Sequence, residues 1–218
     1  MILSICNEKG GSGKSTLACN LAILRSNDKK ILLIDSDPQK SIITFLSIRS
    51  EEGIKRDFDC VYKVGENLKS ILNESKKKYN DIIVDTGGRD SKEMRIAIAL
   101  SDIVLIPTIA SQFDISTLDK MIDIIKMAKE VNPKLKCYIV INRASTNPFL
   151  KGKIEALQEY IQNFQEDYIQ LLEIILYERE AYKIATQMGL GVTEMPKGRA
   201  DKASLEIENL SLKIFQEC

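Results

Sequence analysis

The sequence has no histidine, and only 6% of its 218 residues are aromatic. Without imidazole side chains, histidine metal sites and Ser-His or Cys-His catalytic pairs are excluded, so chemistry would depend on carboxylates, lysines, hydroxyls and backbone amides. The net charge is zero, with 31 Lys and Arg residues against 31 Asp and Glu residues. Any contact with nucleic acid must therefore come from a local basic patch or from assembly, because the overall charge attracts no polyanion.

The chain also lacks a long apolar segment and a paired set of cysteines. No run approaches the roughly 18 apolar residues of a membrane-spanning helix, and the first residues do not have the basic-then-apolar pattern of a signal peptide. The five cysteines show no C-x-x-C spacing; they are Cys6, Cys19, Cys60, Cys137 and Cys218. We therefore expect reduced thiols in a cytoplasmic protein, and we predict that Cys6 and Cys137, which border apolar runs, are buried.

Short apolar runs alternate with helical patterns along the chain. Five runs predict strands: Met1–Cys6, Ile31–Ile34, Asp81–Asp85, Asp102–Pro107 and Cys137–Asn142. Because these runs are apolar throughout, both of their faces should be buried, as in a parallel sheet. Two apolar stripes predict helices that cover the sheet: Ile115, Leu118, Ile122 and Ile125, and Ala203, Ile207, Leu210 and Ile214. We predict one α/β domain over residues 1–218, with exposed loops at Glu51–Asp57 and Asn142–Lys153.

A glycine-rich loop follows the first predicted strand and precedes the first predicted helix. Glycines let the main chain approach a ligand closely, and amides at a helix N-terminus can surround polyphosphate. The residues predicted to bind nucleotide here are Lys9, Gly10, Gly11, Ser12, Gly13, Lys14, Ser15 and Thr16. In such a loop Lys14 would bridge the β- and γ-phosphates, and the Ser15 hydroxyl would ligate Mg²⁺.

The spacing of this loop departs from the usual Walker A pattern, because position 8 is Glu8 instead of glycine. The loop reads Lys-Gly-Gly-x-Gly-Lys-Ser. Together with Asn7 before it and the later run Asp35-Ser36-Asp37-Pro38-Gln39, it resembles the deviant Walker A ATPases of the ParA/MinD family. The resemblance implies a three-layer P-loop NTPase fold, ATP and Mg²⁺ as ligands, and a nucleotide-sandwich dimer in which Lys9 reaches the partner subunit's phosphates. A solvated lysine beside a turn is the alternative for Lys9.

Three carboxylates follow predicted strands at the edge where ligands bind in parallel sheets. By the resemblance, Asp35 belongs to the magnesium shell through water, Asp37 positions the attacking water, and Asp85 is a magnesium partner of the Walker B type. The metal set is thus Ser15, Asp35 and Asp85, and the catalytic set is Lys9, Lys14 and Asp37. Asp37 and Pro38 could instead only start a turn. Residues 86–95 are predicted to form a switch that orders with ATP.

Asn142 ends a predicted strand where P-loop proteins often read the base. Guanine specificity normally needs an Asp three residues later, but this position is Ser145, so ATP is favoured over GTP. Asn142 could alternatively be a strand-end cap. Residues 107–114 resemble the family's Pro-x-x-Pro-Ser segment, with Ala110 in place of the second proline.

The biological role must be argued from the sequence features outside the nucleotide site. The loop begins nine residues into the chain, so we expect no N-terminal helix-turn-helix, and residues 86–95 lack the cysteines of an electron-transfer iron protein. The balanced charge of residues 197–218 argues against a membrane-binding tail.

The chain therefore resembles the small partition ATPases of ParF type most closely. This implies an ATP-dependent homodimer, non-specific DNA binding, association with the nucleoid in the ATP state and a centromere-binding partner of the ParB or ParG kind. Lys183, Lys197 and Arg199 are the candidate DNA contacts, and a solvated mixed-charge face is the alternative for them. A MinD-like positioning ATPase with a protein or membrane cargo, and a ligase of the dethiobiotin-synthetase type, remain open.

Overall fold

The computed structural model describes residues 1–110, 112–147, 151–162 and 166–215. Its strands are β1 (Ile2–Ile5), β2 (Ile31–Ser36), β3 (Asp59–Tyr62), β4 (Asp81–Thr86), β5 (Ile103–Thr108), β6 (Lys136–Ala144) and β7 (Ile169–Tyr177). They form one sheet in the order β3-β2-β4-β1-β5-β6-β7, and every pairing is parallel. The carboxyl ends of all seven strands therefore lie at the same edge of the sheet.

Helices cover both faces of this sheet. They are α1 (Lys14–Arg25), α2 (Ser41–Glu51), α3 (Glu66–Ser75), α4 (Lys92–Leu100), α5 (Gln112–Val131), α6 (Lys151–Gln162), α7 (Glu180–Gln187) and α8 (Asp201–Phe215). Helices α1, α2, α7 and α8 pack on one face, and α3 to α6 pack on the other. Side chains alternate between the two faces along each strand: Leu3 and Ile5 contact the first group, whereas Ile2 contacts the second. The predicted three-layer α/β architecture with a parallel sheet is confirmed.

All five predicted strands are present, with ends that differ by at most two residues, but β3 and β7 were missed. These two strands lie at the edges of the sheet. Neither strand is apolar along its whole length, because the exposed Asp59 begins β3 and the exposed Gln170 and Glu173 interrupt β7. The sequence criterion therefore selected strands with two covered faces and overlooked the edges.

The predicted loop at Asn142–Lys153 is wrong at both ends. β6 continues through Ala144, where Asn142 and Ala144 are buried, and α6 begins at Lys151. The buried positions of Cys6 and Cys137 and the buried stripe of α8 are confirmed. The four cysteines among the described residues form no disulfide, and Cys218 lies outside that part of the chain. Within the described ranges, no helix combines the length and apolarity needed to cross a bilayer.

Candidate functional site

A large cleft opens at the carboxyl edge of the sheet, with a volume of about 1000 Å³. The loop between β1 and α1 forms its floor. The end of β6 and the segments that follow β2, β4 and β7 form its walls. The topology explains this convergence, because β1 lies between β4 and β5 and the chain reverses its direction of travel across the sheet there.

The floor of the cleft is shaped by glycines in left-handed conformations. Gly11 has a φ of 76° and Gly13 a φ of 92°. Left-handed residues that alternate with right-handed ones can direct several backbone amides toward one concave surface. Helix α1 begins directly after Gly13, which makes no side-chain cap, and its first turn has no acidic residue. The amides at this helix N-terminus therefore favour an anionic ligand.

Two lysines meet at this loop. Lys14 is only 6% exposed, and its Nζ donates a 3.1 Å hydrogen bond to the Lys9 carbonyl oxygen. Burial lowers the pKa of Lys14 below its ordinary value. The Lys9 amide donates to the Asn7 side chain at 2.8 Å, and Asn7 in turn donates to the Pro107 carbonyl oxygen at 2.7 Å. Asn7 therefore ties the start of the loop to the end of β5.

Asp85 lies at the end of β4 beneath the loop and is fully buried. Neither of its carboxylate oxygens has a hydrogen-bond partner among the described residues. Burial raises the pKa of Asp85 to about 7, with the Ser15 hydroxyl and the Lys14 ammonium acting in the opposite direction. A buried carboxylate of this kind is suited to a cation, and the Asp85 carboxylate fits Mg²⁺.

The wider surroundings of Asp85 agree with that fit. Magnesium usually takes one or two carboxylates and keeps several waters or phosphate oxygens as its other ligands. In line with this, the described part of the chain contains no group of three or more His, Cys, Asp or Glu side chains that could hold a metal alone. Bound nucleotide and water would have to complete the coordination.

Asp35 and Asp37 have different surroundings. Asp35 is fully buried, and its carboxylate accepts hydrogen bonds from the Asp37 amide at 3.1 Å and the Ile43 amide at 3.3 Å. Burial raises the pKa of Asp35. Asp37 lines the cleft, and its Oδ1 accepts from the Gln39 amide at 2.9 Å. Asp37 thus makes the turn that the sequence offered as an alternative, while its carboxylate also borders the cleft.

The predicted switch packs closely on the glycine loop. A Cβ atom at Gly88 would lie 3.0 Å from the Gly10 backbone nitrogen, so only glycine allows this approach. Ser91 caps α4 by accepting from the Met94 amide at 3.1 Å. The predicted switch therefore contacts the glycine loop, and its ordering by ATP stays a prediction.

The end of β6 contacts the same loop from the opposite side. Asn142 donates from Nδ2 to the Ser12 carbonyl oxygen at 2.7 Å, and Arg143 donates from Nη1 to the Gly11 carbonyl oxygen at 2.6 Å. Arg143 also pairs with Glu178 at 2.7 Å. The base-reading role of Asn142 stays a prediction. Sequence reasoning missed Arg143 and Glu178, for which the sole signal was the position of Arg143 directly after Asn142.

The three candidate DNA contacts lie in two settings. Lys183 is on α7 in the wall of the cleft and pairs with Glu180 at 3.0 Å. Lys197 and Arg199 are exposed on the segment before α8. In the segment 107–114, Ser111 and the side chains that follow it lie outside the described residues.

Comparisons with known proteins agree with this geometry. The family model described as CobQ/CobB/MinD/ParA nucleotide binding domain matches residues 3–190. The chain is 25% identical over 202 residues to the maintenance of carboxysome distribution protein A of Halothiobacillus neapolitanus, covering 91% of this chain and 89% of that protein. It is 27% identical over 228 residues to protein ParA of Rhizobium radiobacter, covering 99% and 96% of the two chains.

A solved structure gives the same result for the fold. An ATP complex of a Cyanothece McdA variant superposes with a TM-score of 0.80 at 19% identity, covering 99% of this chain and 96% of that one. The fold is thus that of the P-loop nucleotide-binding proteins. With a family model that matches most of its length and with the glycine loop, paired lysines and Asp85 gathered in one cleft, the chain belongs to the ParA/MinD family.

Proposed function

We propose that this chain is a Mg²⁺-dependent ATPase that dimerises around ATP, binds DNA without sequence preference in that state, and segregates plasmid or chromosomal DNA. The proposal rests on one observation. A glycine loop suited to phosphate lies beside the buried Lys14 and the buried Asp85, whose carboxylate has no hydrogen-bond partner among the described residues. A buried cation and a buried anion beside one phosphate loop match the charges of a magnesium nucleotide.

Each of these groups has a distinct task in the proposed reaction. Lys14 and the loop amides would hold the phosphates, Ser15 and Asp85 would hold Mg²⁺, and Asp35 would belong to the magnesium shell through water. When bound, Mg²⁺ neutralises negative charge on the phosphate oxygens. Asp37, at the edge of the cleft, orients the attacking water. With no strong base or catalytic arginine among these proposed groups, basal hydrolysis is slow and depends on a partner that orders the switch.

Lys9 gives the proposed dimer its role in catalysis. The Lys9 backbone carbonyl supports Lys14 of the same subunit, whereas its side chain would reach the phosphates of the partner subunit. A cation supplied in this way neutralises charge that develops in the transition state. Hydrolysis would then require two subunits, each completing the site of the other.

The DNA-binding part of the proposal is an electrostatic argument. A chain with no net charge offers few basic contacts as a monomer, and dimerisation doubles the contacts available. The likeness to the Rhizobium protein ParA over 99% of this chain supports a partition role. A centromere-binding protein of the ParB or ParG kind would then be the stimulating partner.

A second candidate function is a positioning ATPase for a protein or membrane cargo. The likeness to a carboxysome distribution protein over 91% of this chain favours it. The two functions share the nucleotide cycle and differ in what the ATP-bound dimer contacts. A ligase of the dethiobiotin-synthetase type would not need Lys9 or the Asp37 turn, and we do not favour it.

Fluorescence anisotropy on two unrelated DNA duplexes distinguishes these functions. We expect binding of both duplexes with a non-hydrolysable ATP analogue and Mg²⁺, and little binding with ADP or without nucleotide. Lys14→Ala is the control, since it should lose nucleotide and therefore DNA. Absence of binding with the analogue, or equal binding with ADP, would favour the positioning ATPase.

A further inference from the structure

Arg143 has a backbone conformation that is unusual for its residue type. Its φ is 52°, in the left-handed region, where a side chain with a Cβ atom is strained and where Asn and Gly are accommodated best. Its side chain is 43% exposed, so it contributes little to the core. Strained residues of this kind are concentrated at functional sites, and here the strain lies at the wall of the nucleotide cleft.

The strained backbone aims the guanidinium at the phosphate loop. Arg143 donates to the Gly11 carbonyl oxygen at 2.6 Å, and its neighbour Asn142 donates to the next carbonyl oxygen, that of Ser12, at 2.7 Å. Two consecutive residues of β6 thus hold two consecutive carbonyl groups of the loop. In a planar trans peptide the N–H points opposite to the C=O. The amides of Ser12 and Gly13 are therefore turned away from β6, and they stay available to an anion that enters the loop.

Glu178 holds the guanidinium in this position from the other side. Its carboxylate pairs with Arg143 Nη2 at 2.7 Å, while Nη1 contacts the loop. The Arg143 guanidinium lowers the pKa of Glu178. An exposed ion pair adds little to the stability of a fold. The effect of the Arg143–Glu178 pair is therefore to orient the Arg143 guanidinium toward the loop.

We propose that Arg143 is a positioning residue for nucleotide binding, which holds the phosphate loop in its anion-binding conformation, and that Glu178 orients Arg143 for this task. The inference rests on the nucleotide site of the proposed function. It predicts that the loop loses preorganisation, and so affinity for the diphosphate, when the guanidinium is removed.

The test uses a fluorescent ADP analogue, so that neither hydrolysis nor the ATP-dependent dimer enters the measurement. Arg143→Asn removes the guanidinium but suits the left-handed backbone. We expect its affinity for the analogue to fall roughly tenfold, as for loss of a charged hydrogen bond, while its nucleotide-free melting temperature is unchanged or higher. Arg143→Lys, which keeps one donor, should recover part of the affinity.

Glu178→Ala completes the design. It should weaken binding in the wild-type background and have no effect in Arg143→Asn, because Glu178 acts through Arg143. Equal affinity of Arg143→Asn and wild type would overturn this inference but leave the proposed function in place. So would an affinity loss that comes with a lower melting temperature and that Arg143→Lys does not reverse. Wild-type protein that binds no analogue would overturn the proposed function and the inference with it.

Discussion

The ammonium group of Lys14 donates a 3.1 Å hydrogen bond to the backbone carbonyl oxygen of Lys9. The two lysines of the glycine loop are thus joined through the main chain of one and the side chain of the other. A side-chain substitution at Lys9 keeps the carbonyl that supports Lys14. The consequences of replacing each lysine should therefore be separable.

We predict that Lys14→Ala loses nucleotide binding, whereas Lys9→Ala still binds nucleotide but neither dimerises with ATP nor hydrolyses it. Lys14 is buried beside the phosphate loop, and its removal takes away the cation of the subunit's own site. Sedimentation with a non-hydrolysable ATP analogue measures the dimer, and equilibrium dialysis measures binding.

The wild-type chain is the reference for this pair. It should sediment as a dimer with the analogue at micromolar concentration and as a monomer with ADP. A wild-type chain that stays monomeric with the analogue contradicts the sandwich mechanism, and a Lys9→Ala variant with normal hydrolysis reassigns Lys9 to a solvated surface position.

A second prediction concerns Asp37. Asp37→Ala should keep ATP binding and dimerisation but lower turnover by about 100-fold or more, since it removes the carboxylate that orients water. Asp37 also accepts a 2.9 Å hydrogen bond from the Gln39 amide, so Asp37→Asn is the matched control. The Asn side chain can keep that bond and the turn while losing the charge. If Asn restores hydrolysis, Asp37 is a turn residue.

The parts of the site that the sequence predicted are those that local chemistry determines. Gly11 and Gly13 are spaced for a phosphate loop, and their left-handed conformations follow from that spacing. Asp85 ends an apolar run, and a fully buried strand places it beneath the loop. In each case the signal lies within a few consecutive residues.

The parts that were missed depend on residues far apart in the chain. Arg143 reaches Gly11 across 132 positions, and Arg49 reaches Glu194 across 145. No periodicity or spacing encodes such pairs, because they form only when the fold brings segments that are distant in the sequence into contact. The edge strand β7 was missed for a different reason, since the exposed Gln170 and Glu173 interrupt its apolar residues.

The third prediction concerns the ion pair between the buried Arg49 and the partly exposed Glu194. Arg49 Nη2 lies 2.7 Å from a Glu194 carboxylate oxygen, and the Arg49 side chain is 6% exposed. The guanidinium also donates to the carbonyl oxygens of Lys55 and Gly189. Arg49→Ala would leave these acceptors unpaired, so we expect it to lower the free energy of unfolding by about 3 kcal/mol. Urea denaturation of the nucleotide-free protein measures this.

Arg95→Ala is the matched control for Arg49→Ala. Arg95 pairs with Asp90 at 2.6 Å, but both side chains are well exposed, so its removal should change the free energy of unfolding by less than about 1 kcal/mol. Equal effects of the two substitutions would show that the burial of Arg49 has no energetic consequence.

The last prediction assigns the DNA contacts within the proposed partition function. Lys197 and Arg199 are exposed before α8, whereas Lys183 pairs with Glu180 in the wall of the nucleotide cleft. Arg199→Ala and Lys197→Ala should therefore weaken binding of the ATP-state dimer to every duplex alike, without slowing hydrolysis. The plot of log affinity against log salt has a negative slope, and each lost phosphate contact should make this slope shallower by roughly 0.9. Lys183→Ala should change this slope less, because Glu180 already neutralises that cation. Anisotropy across a salt series measures the slopes. A larger change for Lys183→Ala than for Arg199→Ala would assign the DNA-binding surface to the mouth of the cleft instead.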